Sequence, residues 1–309
     1  MKNTSLIITT MLFLIAMLFA VQNPATARVE KTYRIGIASR IEFAPLVLDM
    51  VREELSKKLL SFPATLSFIA PDDFQKPDFN PDFDCILVEN GLSTEHVSSS
   101  FRNSGINIVM AWVLAVRGDA VKLTSGRISN LQDFVDILKK LRSDSPYKFP
   151  WFEPLCSRAV MRNFCHIIGE ASSDSSKRGA IGFLYQCIEE ELLNPMSVEA
   201  DLALANSVFH ANDTFFSSTW VPLARFFRNA DLENDIQFLP FPDVAGQARL
   251  PVITLELWQK QSLPAIASYG VSLPDDVSKD FLELDLASDS RWFNEKYQEQ
   301  YDRLIMGDF

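Results

Sequence analysis

A chain of 309 residues is long enough for two domains, and 47% hydrophobic against 22% charged residues is the balance of a globular protein, not a disordered one. A formal net charge of −11 argues against nucleic acid or an anionic membrane surface as a partner. A small ligand stays open, because local charge in a cleft can oppose the net charge.

Lys2 is the only charged residue before Arg28. Leu6 to Ala20 is an apolar run, and Ala25-Thr26-Ala27 supplies a small-x-small pattern just ahead of Arg28. Residues 1–27 therefore read as a signal peptide cleaved after Ala27, which places the mature protein in the periplasm. The alternative is a membrane anchor. Against it, the run is short for a spanning helix, and the polar Gln22-Asn23-Pro24 breaks the apolar pattern beyond it. Loss of Lys2 with the leader takes the charge from −11 to −12. No cysteine stands near the cleavage site to accept a lipid, and no later segment is long and apolar enough to span a bilayer.

The first element of the mature chain is "TYRIGIASR", a strand alternating around Tyr33, Ile35 and Ile37. Phe43, Leu46, Val47, Met50, Val51, Leu55 and Leu59 then form one helical stripe, with Pro45 suited to the first turn. "ATLSFIAP" and "FDCILVENG" are the second and third strands, and Ile106–Val116 is a fourth, apolar on both faces. Strands alternating with helices predict a largely parallel sheet with a ligand crevice at the strands' carboxyl ends. The loops after the first and third strands would line it. They carry Ser39, Arg40 and Glu42, and Glu89, Asn90 and Gly91.

The fourth strand ends at Arg117-Gly118-Asp119. That triplet is too common to support an adhesion reading. It is read instead as the hinge where the chain leaves a first lobe, Gly118 supplying backbone freedom. Ser129-Asn130-Leu131-Gln132 matches a capping box and opens a helix with Leu131, Phe134, Val135, Leu138 and Leu141 on one face. "SPYKFPWFEP" reads as a loop, and helical patterns follow near 157–168, 179–193 and 198–210. "TFFSSTWVPLARFF" is expected to be a loop leading into a helix, with Trp220 at the junction and Pro222 near the helix start. Pro240, Pro242 and Gly246 mark a return crossing before a strand at "RLPVITLELW", and Ser290–Ile305 is an amphipathic tail helix. The lobes are thus 28–117, 118–243, and 244–309 returning to the first.

Cys85 lies in an apolar strand pattern and reads as a buried thiol. One bridge is expected among Cys156, Cys165 and Cys187. On one helix Cys156 and Cys165 would stand ~13 Å apart, which favours a bridge to Cys187. No G-x-S-x-G, P-loop, G-x-G-x-x-G or H-E-x-x-H occurs, and His96, His166 and His210 lack metal-ligand spacing. The reading is of a protein that is not an enzyme and carries no cofactor and no metal.

The order of "YRIGIAS", "VLAVRGDA", "ISNLQDFVDIL", "PWF", "STWVPLARFF" and "IQFLPFP" behind a signal peptide resembles the extracellular solute-binding proteins of ABC importers. The likeness is to the sugar-binding-like class of the type II periplasmic-binding-protein fold. It implies an α/β, two-lobed chain with mainly parallel sheets, flanking helices and a hinge. It implies a monomer that binds a small polar solute, a sugar or polyol among the candidates, and passes it to the transmembrane subunits of an ABC permease. It also implies that Trp220, and Trp151 with Phe152 of the "PWF" loop, face the ligand cleft, where aromatic rings suit sugar faces; the competing reading is that Trp220 packs under the following helix with Phe215 and Phe226. Asn212 and Asp213 stand just ahead of the Trp220 stretch and could reach hydroxyls. A different class is a sensor or interaction domain with the same fold, acting through a protein partner.

Overall fold

The computed structural model describes residues 32–41, 43, 45–58, 64–79, 82–97, 99–124, 128–146, 148–156, 160–161, 164, 179–227, 236–241, 250–263, 281–283, 299, 301–304 and 306. The signal-peptide reading, Glu42, Cys165, His166, the proposed return-crossing residues Pro242 and Gly246, and most of the tail helix lie outside them.

The first strand, β1 (Tyr33–Ala38), leads into helix α1 (Pro45–Lys58) and then β2 (Ala64–Ile69). A short helix α2 (Pro71–Phe74) precedes β3 (Cys85–Glu89). β1 pairs in parallel with both β2 and β3, as a β-α-β path requires. Gly36 sits where this sheet is most crowded. A Cβ there would lie 2.3 Å from Ile69 Cδ1 and 3.0 Å from the Phe83 ring. Gly36→Ala is therefore expected to cost about 1–3 kcal/mol through overpacking, read as a lowered urea midpoint; an unchanged midpoint would count against this packing.

The fourth strand, β4 (Phe101–Arg117), is longer than the sequence pattern suggested and organises the rest. A short helix α3 (Asp119–Thr124) follows it, then α4 (Leu131–Asp144), α5 (Gly179–Glu189), a 3-10 turn at Pro195–Glu199 and α6 (Leu202–His210). The chain continues through β5 (Phe216–Pro222), α7 (Leu223–Phe227), β6 (Ile236–Leu239), β7 (Leu250–Lys260) and β8 (Phe281–Glu283). The eight strands of the described residues form one sheet, with β2-β1-β3-β7-β4-β5 in order, β6 on β4 and β8 on β7. β7 inserts antiparallel between β3 and β4, and β5 and β6 are antiparallel to β4. The expected parallel arrangement thus holds for β2-β1-β3 and for β7-β8, and the returning strand makes the middle antiparallel.

β4 changes partners along its length. Phe101–Ala111 pairs with β7, and Met110–Val116 pairs with β5. One strand is therefore shared by both halves of the sheet. A bulge between Asn103 and Asn107 interrupts its first part, with Gly105 at φ +73°. One face of the sheet carries a continuous core running from Ile35, Ile37 and Leu87 through Met110 and Trp112 to Trp220 and Phe241. α1 covers it with Val47, Val51 and Leu55, and α4 with Phe134, Leu138 and Leu141. The α4 N-cap is Asn130, whose side chain accepts the Asp133 N–H at 2.9 Å. The cap is one residue later than the capping box predicted.

Cys85 is a buried thiol in β3. The expected bridge to Cys187 is not made. Cys187 is a free thiol on the inward side of α5, and burial pushes its pKa up to about 12. No helix among the described residues is long and apolar enough to cross a membrane.

Candidate functional site

The loops after β1 and β3 come together, as the strand order predicts. The Ser39 hydroxyl donates to Glu89 Oε2 at 2.7 Å, and the Arg40 backbone N–H donates to the same oxygen at 2.6 Å. Arg40 Nη1 donates to Glu89 Oε1 at 2.8 Å, and Nη2 to the Gly91 carbonyl at 3.2 Å. Both oxygens of Glu89 are thereby occupied, and the residue is 2% exposed. This clamp is built to join two loops. Asn90 and Gly91 are exposed at its rim; the Asn90 N–H donates to the Thr254 carbonyl of β7 at 2.9 Å, and Gly91 takes φ +85°.

Register places the clamp along the sheet. Glu89 lies opposite Leu255, and Leu255 opposite Ile108. Two residues further along, at Met110, β4 takes up β5. The clamp therefore stands at the level where the two halves of the sheet meet. Asp213 does not join it. It is exposed in the turn after α6, at the far end of β5, about 25 Å along β4 at 3.3 Å per residue. Its neighbour Asn212, at φ +65°, accepts Lys148 Nζ on its carbonyl and, at 3.1 Å, on Oδ1.

The proposed hinge residues close β4. Arg117 Nη1 donates to the carbonyls of Phe209 and, at 3.0 Å, His210, and its guanidinium lies over the Phe209 ring. This caps the C-terminal end of α6, where a cation is favoured. Gly118 has φ +61° and starts the turn into α3 at Asp119.

Trp151, Phe152 and Trp220 are placed differently from expectation. Trp220 is not in a loop: it is the fifth residue of β5 and pairs directly across from Trp112 of β4. Ser217-Ser218-Thr219 resembles a loop in composition, yet it is strand paired in register with β4. The segment 150–152 runs beside β5 as a further short strand. Phe216 N–H donates to the Pro150 carbonyl at 3.0 Å, and Phe152 N–H to the Phe216 carbonyl at 3.0 Å. Trp151 and Trp220 have 0% exposure and Phe152 1%, so all three rings are core in this conformation. Trp112 stacks on Phe241 at 5.2 Å between centroids, and Trp151 tilts against the same ring at 6.1 Å.

Sequence reasoning missed Glu153, which is fully buried among these aromatics. Its Oε2 accepts the Trp151 indole N–H at 2.8 Å and the Ser218 backbone N–H at 3.2 Å. Its own N–H donates to Ser197 Oγ at 3.0 Å. Burial pushes the carboxyl up to about 7, against the pull of the Ser218 hydroxyl, the Trp151 indole and the Ser218 backbone N–H. A lone acid inside the aromatic "PWFEP" was the available signal. Trp112 Nε1 on β4, Ser217 Oγ, Ser218 Oγ, Thr219 Oγ1 and Trp220 Nε1 on β5, and Glu153 Oε1 are buried with no partner in hydrogen-bond geometry among the described residues, the Ser218 hydroxyl standing close enough to the Glu153 carboxyl to hold its pKa down. Such groups cost free energy in an empty core, and the great majority of buried polar atoms are paired. Among the described residues no group of His, Cys, Asp and Glu is placed to hold a metal ion.

No protein-family model matches the chain, and no curated protein matches it. Solved structures do. The maltose/maltodextrin-binding domain MalE of Bdellovibrio bacteriovorus, bound to maltotriose, is similar over 90% of this chain and 95% of its own, at TM-score 0.56 and 10% identity. The chain has the type II periplasmic-binding-protein fold. A second such structure, the GacH receptor of Streptomyces glaucescens, solved unliganded and with acarbose, covers 91% of this chain and 95% of its own at TM-score 0.51 and 8% identity. In this two-lobed fold, β4 with its two sets of partners is the strand common to both halves, and the orphaned atoms of Trp112 and Trp220 sit on it and on β5.

Proposed function

We propose that this is an exported solute-binding protein that holds a small polar solute between two lobes and delivers it to an ABC permease. The lobes meet along β4 at Met110 and Ala111, which pair with both β7 and β5. The observation that carries the reading is the row of buried polar atoms with no partner among the described residues beside the junction of the two halves, Trp112 Nε1 on β4 and Ser217 Oγ, Thr219 Oγ1 and Trp220 Nε1 on β5. A polar solute has the donors and acceptors to complete them once the lobes part to admit it. The fold likeness supports the same reading, since the two similar proteins are described with maltotriose and with acarbose bound.

A thermal-shift screen of sugars, polyols, amino acids and oxyanions tests it. A true ligand at 100-fold over Kd is expected to add ~2.7 kcal/mol of stability. A panel that produced no shift in any class would remove the solute-binding reading. Export is tested separately. The mature N-terminus is expected at Arg28, and recovery of the intact apolar segment in the membrane fraction would replace cleavage by anchoring.

A further inference from the structure

The segment that carries Trp151, Phe152 and Glu153 is held by backbone on two sides. β5 binds it through Phe216, and on the other side the Trp151 N–H donates to the Leu192 carbonyl at 3.1 Å while the Trp151 carbonyl accepts the Asn194 N–H at 2.9 Å. Beyond Pro154 the chain turns tightly. The Leu155 N–H donates to the Glu153 carbonyl at 2.9 Å and to the Ser197 carbonyl at 3.0 Å, and the Cys156 N–H donates to the Ala200 carbonyl at 3.2 Å. The carbonyls of Leu155 and Cys156 are met from a distant part of the chain. Tyr301, from the helical residues 301–304, places its hydroxyl between them and donates, 2.9 Å from the Leu155 carbonyl and 3.1 Å from the Cys156 carbonyl. Tyr301 and Leu304 are buried in the core cluster that also holds Leu155 and Trp151. Phenylalanine would fill the same space with the same ring. What tyrosine adds is the bond to the turn that follows Glu153.

We propose that Tyr301 is a positioning residue: its hydroxyl fixes the turn after Glu153, holds the Trp151–Glu153 segment against β5 and so keeps water from the Glu153 carboxyl. The inference concerns the packing of this segment and does not rest on the solute-binding reading. The carboxyl itself reports on it. The groups that act on the carboxyl are neutral: the Ser218 hydroxyl and N–H from β5 and the Trp151 indole from its own segment. The Ser197 hydroxyl, from the turn at 195–199, accepts the Glu153 N–H. No charged side chain among the described residues acts on it. Its raised pKa therefore measures the exclusion of water, and loosening of the segment lowers it.

Tyr301→Phe tests the proposal, with urea midpoints measured from about pH 4 to about pH 8, below the ordinary range of a phenol or a thiol. The share of the pH dependence that belongs to Glu153 is the difference between each protein and its Glu153→Gln counterpart. In the wild-type background that difference grows as pH rises and levels off near pH 7, where the folded carboxyl has ionised. In the Tyr301→Phe background it is expected to level off about one pH unit or more lower, because water then reaches the carboxyl. A difference that levels off at the same pH in both backgrounds, or at a higher one with Tyr301→Phe, overturns the proposal. The hydroxyl would then add stability without positioning the carboxyl.

Discussion

Replacing Trp220 with alanine is expected to remove about 3–5 kcal/mol of folding stability, with or without a solute present. The ring has no exposed surface and lies on β5, the last strand of the sheet path, opposite Trp112 on β4. Truncation leaves a cavity in the core that this ring shares with Trp112, Trp151 and Phe241. Urea unfolding followed by far-UV circular dichroism measures the loss. A loss below about 1 kcal/mol would mean that the ring is not core, since large-to-small changes in packed cores exceed that range. Trp220→Phe gives a second reading. It keeps most of the ring and removes an indole N–H that has no partner. Its stability cost should be small, because an unmade buried hydrogen bond is itself destabilising. If the solute contacts Trp220, affinity should still fall in that variant.

The pH dependence of stability is expected to carry the signature of Glu153. Its carboxyl is raised from 4.5 to about 7 in the folded protein, because burial disfavours the charged form. The unfolded chain therefore loses this proton first as pH rises. Stability from this group is fully present below about pH 4.5, and is lost as pH rises through about 7. At 1.36 kcal/mol per pKa unit the loss is about 3 kcal/mol. Glu153→Gln cannot ionise and should not show it. The variant is expected to match the wild type near pH 4.5 and to be the more stable protein by about 3 kcal/mol above pH 8. Denaturant titrations of both proteins across that range measure the difference. A difference that stayed flat with pH would place the carboxyl in water or beside a cation.

Local pattern made much of the first half legible. Alternation in "TYRIGIA", the apolar run in "CILVE" and the stripe from Val47 to Leu55 each specify an element and its inward face, because period-2 and period-3.6 repeats are properties of short segments. The expected gathering of the loops after the first and third strands is met where Ser39 and Arg40 reach Glu89, while the order β2-β1-β3 came from the tertiary structure. The same local logic failed at "SSTWVP". Small hydroxyl residues are common in loops, and nothing within the segment says that β4 lies on one side and residues 150–152 on the other. Trp220 is core and not loop for that reason. The Cys187 bridge fails similarly: a bridge depends on two Cβ positions in space, and α5 turns this thiol into the core.

The sequence by itself determined the α/β class, the main strands and the long helix up to Arg117, and the acidic charge of the chain. These depend on neighbours in the chain. Tertiary structure alone decided that β7 inserts antiparallel between β3 and β4, and that β4 belongs to both halves. It alone paired Trp112 with Trp220 across β4 and β5 and buried Glu153 against Trp151 and the Ser218 backbone. Trp112, Glu153 and Trp220 are widely separated in the chain, and the burial that raises the Glu153 carboxyl comes from side chains on several elements at once. A charge state set by desolvation is a property of the packed interior, and no local pattern encodes it.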